Sequence, residues 1–143
     1  MLIPTCVIKF LELMLAIACL TLHHYSYDLT DIPTLMLCSG TYVGYVVVLS
    51  GEIVGEVVSA AADPYVEAWW SGAGGVLFGA CGALTLHSWY DVPPCARRTF
   101  AQAAAACAQA AAVLMAVDSI LSLCSAHKDT ASTRTKSHKA TNA

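Results

Sequence analysis

Four long apolar runs, each bounded by short polar stretches, make up most of the chain. They cover roughly 5–23, 34–59, 67–89 and 99–123. A helix needs about 20 apolar residues to cross a hydrocarbon core about 30 Å thick, so each run predicts a transmembrane helix. The breaks carry turn chemistry. His24, Tyr25, Ser26, Tyr27, Asp28, Thr30 and Asp31 follow the first run, and Pro33 stands just inside the start of the second, where a helix favours proline. Asp63 and Pro64 mark the next turn, since proline biases its predecessor away from helix. Tyr90, Asp91, Val92, Pro93 and Pro94 form the third break. The fourth run is almost pure alanine over 101–112, interrupted by Gln102, Cys107 and Gln109. From Ser125 onward the chain is rich in Ser, Thr, Lys and His, a composition that predicts a disordered tail.

A soluble bundle needs a polar face at a 3.6-residue period, and 43–49 and 73–86 offer none. A transmembrane barrel needs alternating segments of about ten residues, and these runs are longer and continuous. Backbone groups in lipid must be satisfied within the segment. The pattern therefore predicts an all-α membrane protein: a four-transmembrane-helix bundle with short loops over 1–124 and a cytoplasmic disordered tail over 125–143. The first run carries Lys9 and Glu12 and ends on His23, His24 and Tyr25 without a small-x-small exit, so it reads as a retained span, not a cleaved leader.

Composition agrees. The chain is 57% apolar and only 12% charged, with a mean hydropathy of +0.63; soluble domains are nearer a quarter charged. The net charge of −3 and the lack of a basic stripe before the tail leave no footprint for nucleic acid. The cysteines (Cys6, Cys19, Cys38, Cys81, Cys95, Cys107 and Cys124) stand singly, mostly in apolar runs, as packing residues do. Cys6 and Cys124, near span ends, are alternatively palmitoylation sites. No nucleophile triad, HExxH, P-loop or dinucleotide fingerprint is present, so the expectation is a protein that is not an enzyme and has no cofactor. His23 and His24 are adjacent, which does not build a metal face. The outer loops are about ten residues long, a reach of at most roughly 35 Å before the return is counted. Any role at a cell contact therefore requires a partner with an ectodomain.

Four spans put both termini on one side. With the termini inside, Lys9, Lys128, Arg134, Lys136 and Lys139 are cytoplasmic and only Arg97 and Arg98 are outside, five against two. The positive-inside rule then predicts cytoplasmic termini. Tyr25, Tyr27, Trp69, Trp70, Trp89 and Tyr90 fall near span ends, where amphipathic rings sit at the headgroup level. This orientation gathers Lys9, Glu12, Glu52, Glu56 and Asp118 in one inner layer, with Asp63 and Glu67 beside it. Charges at a span centre cost on the order of 2.5 to 3.5 kcal/mol each. Either the acids pair with Lys9 near the interface or they line a cation or proton vestibule. The outer half offers little beyond His87, which favours pairing, with Lys9 facing Glu12 and at least one of Glu52 and Asp118.

Helices in lipid associate through small residues. Gly40-xxx-Gly44 and Gly51-xxx-Gly55 lie on the second span, Gly75-xxx-Gly79-xxx-Ala83 on the third, and Ala104, Ala108, Ala112 and Ala116 on the fourth. Packing within the chain is the first expectation; a partner protein or a second copy is the other use.

The layout lacks the tryptophan- and cysteine-bearing outer loop of claudins, the large cysteine-rich loop of tetraspanins and the loop cysteines of connexins. It resembles the snakeskin family, small four-span proteins of arthropod smooth septate junctions with a MARVEL-like layout. The resemblance covers roughly residues 7–123. It rests on Ile8-Lys9, on Ser39-Gly40-x-x-Val43-Gly44-Tyr45, on Gly79-x-x-x-Ala83-Leu84-x-Leu86-His87-x-Trp89 and on Leu114-x-x-x-Asp118-x-x-Leu121-Ser122. The alanine run and the basic tail depart from the family pattern. The resemblance implies a structural component of an epithelial junction in the lateral plasma membrane, working with a single-span adhesion protein and a tetraspanin to seal gut-type epithelia. A transporter or channel subunit using the intramembrane acids and a MARVEL-type trafficking protein are the alternative functions.

Overall fold

The computed structural model describes residues 2–25, 32–58 and 63–142, with side chains from Cys6 onward in the first helix. All its regular structure is helical: α1 (Leu2–Tyr25), α2 (Ile32–Val57), α3 (Pro64–Ser88) and α4 (Ala96–Thr141). Tyr27 and the expected end of the second span at 59 lie outside the described residues. Pro33 is the second residue of α2. Pro64 opens α3, and the Asp63 side chain caps it by accepting from the Tyr65 N–H at 3.1 Å. Cys95 caps α4, its Sγ accepting from the Arg98 N–H at 3.4 Å.

Among the described residues, three helices are long and apolar enough to cross a membrane, α1 from Cys6, α2 and α4, which points to a membrane-embedded protein. Glycine dilutes the hydropathy of α3, with Gly72, Gly74, Gly75, Gly79 and Gly82 in one helix.

The helices run antiparallel in chain order. At one end the start of α1 meets the end of α2, the start of α3 and Asp118 of α4 through Lys9. At the other, His23 meets Ser39, Cys38 meets Thr85, and the Tyr25 and Phe100 rings stack 5.6 Å apart. α4 packs most extensively on α3 and then on α1. Its buried positions run Ala101, Ala104, Ala105, Ala108, Ala111, Met115, Asp118 and Ser122, a helical stripe. The core combines these alanines with Ala16, Cys19, Cys38, Tyr42, Tyr45, Leu49, Phe78 and Cys81. Phe78 anchors it, 5.4 Å from the Tyr42 ring and 5.6 Å from the Tyr45 ring. Polar side chains tie helix to helix, as they do in lipid: Tyr45 OH donates to the Trp70 carbonyl at 2.9 Å, Ser119 Oγ to Ala68 at 2.9 Å and Gln109 Nε2 to Gly79 at 3.1 Å.

Two expectations are corrected. The tail from 125 is helix, not disorder, as far as Thr141. Starting a helix is costly but extending one is not, and no glycine or proline follows Pro94. Thr130, Thr133, Thr135 and Thr141 each return their hydroxyl to the carbonyl four residues back. At about 1.5 Å per residue, the 46 residues of α4 span about 69 Å, more than twice a hydrocarbon core. Because Lys128 to Asn142 are exposed throughout, deleting 128–143 is expected to leave the unfolding temperature of the detergent-solubilised bundle unchanged. A fall of several degrees would show that this segment packs on the other helices. The second correction concerns Trp89. Tyr25, Trp69, Trp70 and Tyr90 are exposed, but Trp89, the C-cap residue of α3, whose N–H bonds back to the Thr85 carbonyl, is buried with 2% exposure.

Candidate functional site

Buried polar chemistry concentrates at Lys9, one of the largest fully buried side chains. Lysine has a long stem and three N–H donors, so it can reach across a narrow bundle axis from the second turn of α1. Its ammonium lies 2.7 Å from Asp118 Oδ2, 2.9 Å from Glu52 Oε2, 3.7 Å from Glu67 Oε1 and 3.8 Å from Glu12 Oε2. It also donates to Ser71 Oγ at 3.1 Å, and that hydroxyl donates onward to Asp118 Oδ2 at 2.7 Å. The Glu52 contact has the distance of an ion pair, but its oxygen lacks hydrogen-bond alignment. Every helix contributes: Lys9 and Glu12 from α1, Glu52 from α2, Glu67 and Ser71 from α3, Asp118 from α4.

The local sequence explains the convergence. Lys9 and Glu12 are one turn apart and share the inward face with Ala16 and Cys19. Glu52 continues the α2 stripe of Cys38, Tyr42, Tyr45 and Leu49. Glu67 and Ser71 are one turn apart on α3, and Asp118 follows Ala111 and Met115 on α4. Of the five charges expected in one layer, Lys9, Glu12, Glu52 and Asp118 meet. Glu56 lies one turn beyond Glu52, half-buried, with Oε2 outside any hydrogen bond. The expected Lys9 pairing is present, to Glu12 and to both Glu52 and Asp118. Sequence reading placed Glu67 beside the layer and missed its part in it, and it missed Ser71 altogether; their i, i+4 spacing, one turn into a helix opened by Asp63 and Pro64, was the available signal.

The small-residue positions divide. A Cβ on Gly75 or Gly79 would meet Ala112 in ordinary contact, so these glycines let α3 approach α4. Gly40, Gly44 and Gly51 meet nothing within 4 Å, and Ala83 is exposed. They do not pack within the chain as expected, because α2 turns a different stripe inward, Thr34, Cys38, Thr41, Tyr42, Tyr45 and Leu49. Gly55 is half-buried, Ala104 and Ala108 are buried, and Ala116 is exposed. The closest approaches belong to Gly74 and Gly82, which the four-residue spacing did not single out.

A family model described as a domain of unknown function, DUF7775, matches residues 5–92, more than half of the chain. The chain belongs to the DUF7775 family. The DUF7775 match takes in α1, α2 and α3 with Lys9, Glu12, Glu52, Glu67 and Ser71, and ends before α4 and Asp118. No curated protein and no solved structure matches the chain.

Proposed function

We propose that this protein is a non-enzymatic four-span membrane scaffold of an epithelial cell junction, binding partner membrane proteins through its helix faces. The observation that carries this reading is the free face of α2. Gly40, Gly44 and Gly51 meet nothing in the chain, and Met36, Val43, Val47 and Val54 are exposed around them. Glycine hollows between valine ridges suit the close approach of another transmembrane helix. In the proposed arrangement α3 is the fourth span: it lies antiparallel to α2 and α4, and its exposed Trp69, Val76, Leu84 and Leu86 are apolar. Both termini are cytoplasmic, and the partners are a single-span adhesion protein and a tetraspanin, as the likeness to smooth septate junction proteins implies.

The second reading, a transporter or channel subunit, draws on the excess of acids over Lys9. Against it, the axis beyond the cluster is filled by Leu49, Met115, Tyr45, Phe78, Tyr42, Cys38 and Cys81, whereas an ion path needs polar groups along its length. The test is the location of a C-terminally tagged chain in a polarised arthropod epithelium, stained before and after permeabilisation. A sharp lateral belt, seen only after permeabilisation, is the expected result. Gly44→Leu is expected to fold normally and lose the belt. Diffuse or vesicular wild-type signal sinks the junction role in favour of transport or trafficking, and staining of intact cells overturns the orientation.

A further inference from the structure

From Ser125 onward the chain changes sign. Four of its seven Lys and Arg residues lie there, Lys128, Arg134, Lys136 and Lys139, but only Asp129 of its ten Asp and Glu residues. The segment therefore carries a formal charge of +3 and the rest of the chain −6. It is helical to Thr141 and exposed from Lys128 to Asn142, and helix phase sorts its charges. At about 100° per residue, Arg134, His127, His138, Lys128 and Lys139 fall within an arc of about 140°. The small Ala131 and Thr135 lie between them, and Lys136 borders the arc. Asp129 and the hydroxyl residues take the opposite side, where Thr130, Thr133 and Thr141 return their hydroxyls to their own backbone. The cations find no carboxylate within the chain: among the described residues every ion pair is made by Lys9.

A basic face fixed in phase and left unpaired attracts anions. The length of α4 decides which anions can meet it. The apolar run ends at Leu123, and Lys128, Arg134 and Lys139 lie about 8, 17 and 24 Å further along the axis. The field of a charged leaflet falls off within a Debye length, about 8 Å at physiological ionic strength. Laying the segment down on lipid would need a sharp kink, which helices usually make at proline or glycine, and neither follows Pro94. A second copy fits poorly too, since at this end of the bundle its Glu12, Glu52, Glu67 and Asp118 are gathered around Lys9.

We propose that the projecting end of α4 docks an acidic segment of a partner protein, a stretch of Asp and Glu side chains laid along the face of Lys128, Arg134 and Lys139. These cations cover about 17 Å of helix axis, which an extended segment of about five residues spans. The Arg134 fork can hold a carboxylate by two N–H bonds, and the lysines supply point charges on either side of it. This contact lies beyond the bilayer and the free face of α2 lies within it, so either can fail while the other stands.

The experiment uses the full chain in nanodiscs of neutral phosphatidylcholine and a fluorescent oligoglutamate peptide, with binding read by anisotropy. The wild type is expected to bind, and to bind less as salt is added. A variant that keeps the composition but moves two charges to the other face, Arg134→Thr with Thr133→Arg and Lys139→Ala with Ala140→Lys, is expected to bind at least about fivefold more weakly, the scale of two exposed ion pairs. Trypsin is expected to remove the segment equally fast in neutral nanodiscs and in nanodiscs containing phosphatidylserine. No peptide binding by the wild type, or equal binding by the rearranged variant, overturns the proposal. Protection from trypsin by phosphatidylserine also overturns it, because the membrane is then the partner.

Discussion

Lys9→Met is expected to cost the bundle about 3–5 kcal/mol, the range for removing one partner of a buried ion pair. The magnitude comes from the acids left unpaired more than from the ammonium's own hydrogen bonds. Asp118 and Glu52 lie 2.7 and 2.9 Å from the ammonium, and without it the buried Asp118 and its acidic neighbours Glu52 and Glu67 are left with no cation among them. The variant should unfold at a markedly lower temperature in detergent. Charge balance, not packing, is the cause, so adding Asp118→Asn and Glu52→Gln to Lys9→Met should recover much of the loss. Buried ion pairs replaced together are often neutral or stabilising. Lys9→Arg should not substitute well, because a planar guanidinium fork does not fit partners gathered around a point charge. An unchanged unfolding temperature for Lys9→Met would remove the cluster from any role in holding the helices together.

That cluster was largely legible because charges are conspicuous in apolar runs. Lys9, Glu12, Glu52 and Asp118 each break a stretch where the cost of a charge demands a partner, and the antiparallel order of the helices brings them to one end. Ser71 was invisible for the opposite reason. A serine among Gly72, Gly74 and Gly75 reads as one more small packing residue, and its role exists only because Lys9 and Asp118 leave a gap it bridges.

Helix phase was the least legible feature. In water a helix announces its buried face by contrast with a polar one. Here both faces of α2 are apolar, so Gly40 and Gly44 advertised close packing without showing which side would use it. Tyr42 and Tyr45 settle the phase, since their rings fill the axis against Phe78, and the glycines are left facing outward. The tail was misread because composition describes an isolated segment. A short segment of Ser, Thr and Lys does not pay for nucleating a helix alone, but behind 30 residues of α4 it need only continue one.

Gly74→Ala and Gly44→Ala make the same chemical change, and their expected effects differ in sign. A Cβ on Gly74 would lie 2.6 Å from Met115 Sδ and 2.6 Å from Tyr45 Cε1. Methionine can yield. The tyrosine ring is held between the hydrogen bond from its hydroxyl to Trp70 at 2.9 Å and the edge contact with Phe78. Something must move, and overpacking of this kind costs about 1–3 kcal/mol; Gly74→Val, with two further methyl groups, should exceed that range. Gly82→Ala should cost less. Its Cβ would meet the Gln109 amide at 2.7 Å, a flexible end that can swing away at the expense of its bond to Gly79. Gly44→Ala meets nothing within 4 Å and replaces the poorer helix former, a gain of up to about 1 kcal/mol. Unfolding temperatures of the two alanine variants in one detergent would therefore separate, Gly74→Ala below wild type and Gly44→Ala at or above it. The two effects have one source. A helix that commits its tyrosines to the axis must take glycine from α3 where the rings pass, and its own Gly40, Gly44 and Gly51 are then left on the outer face.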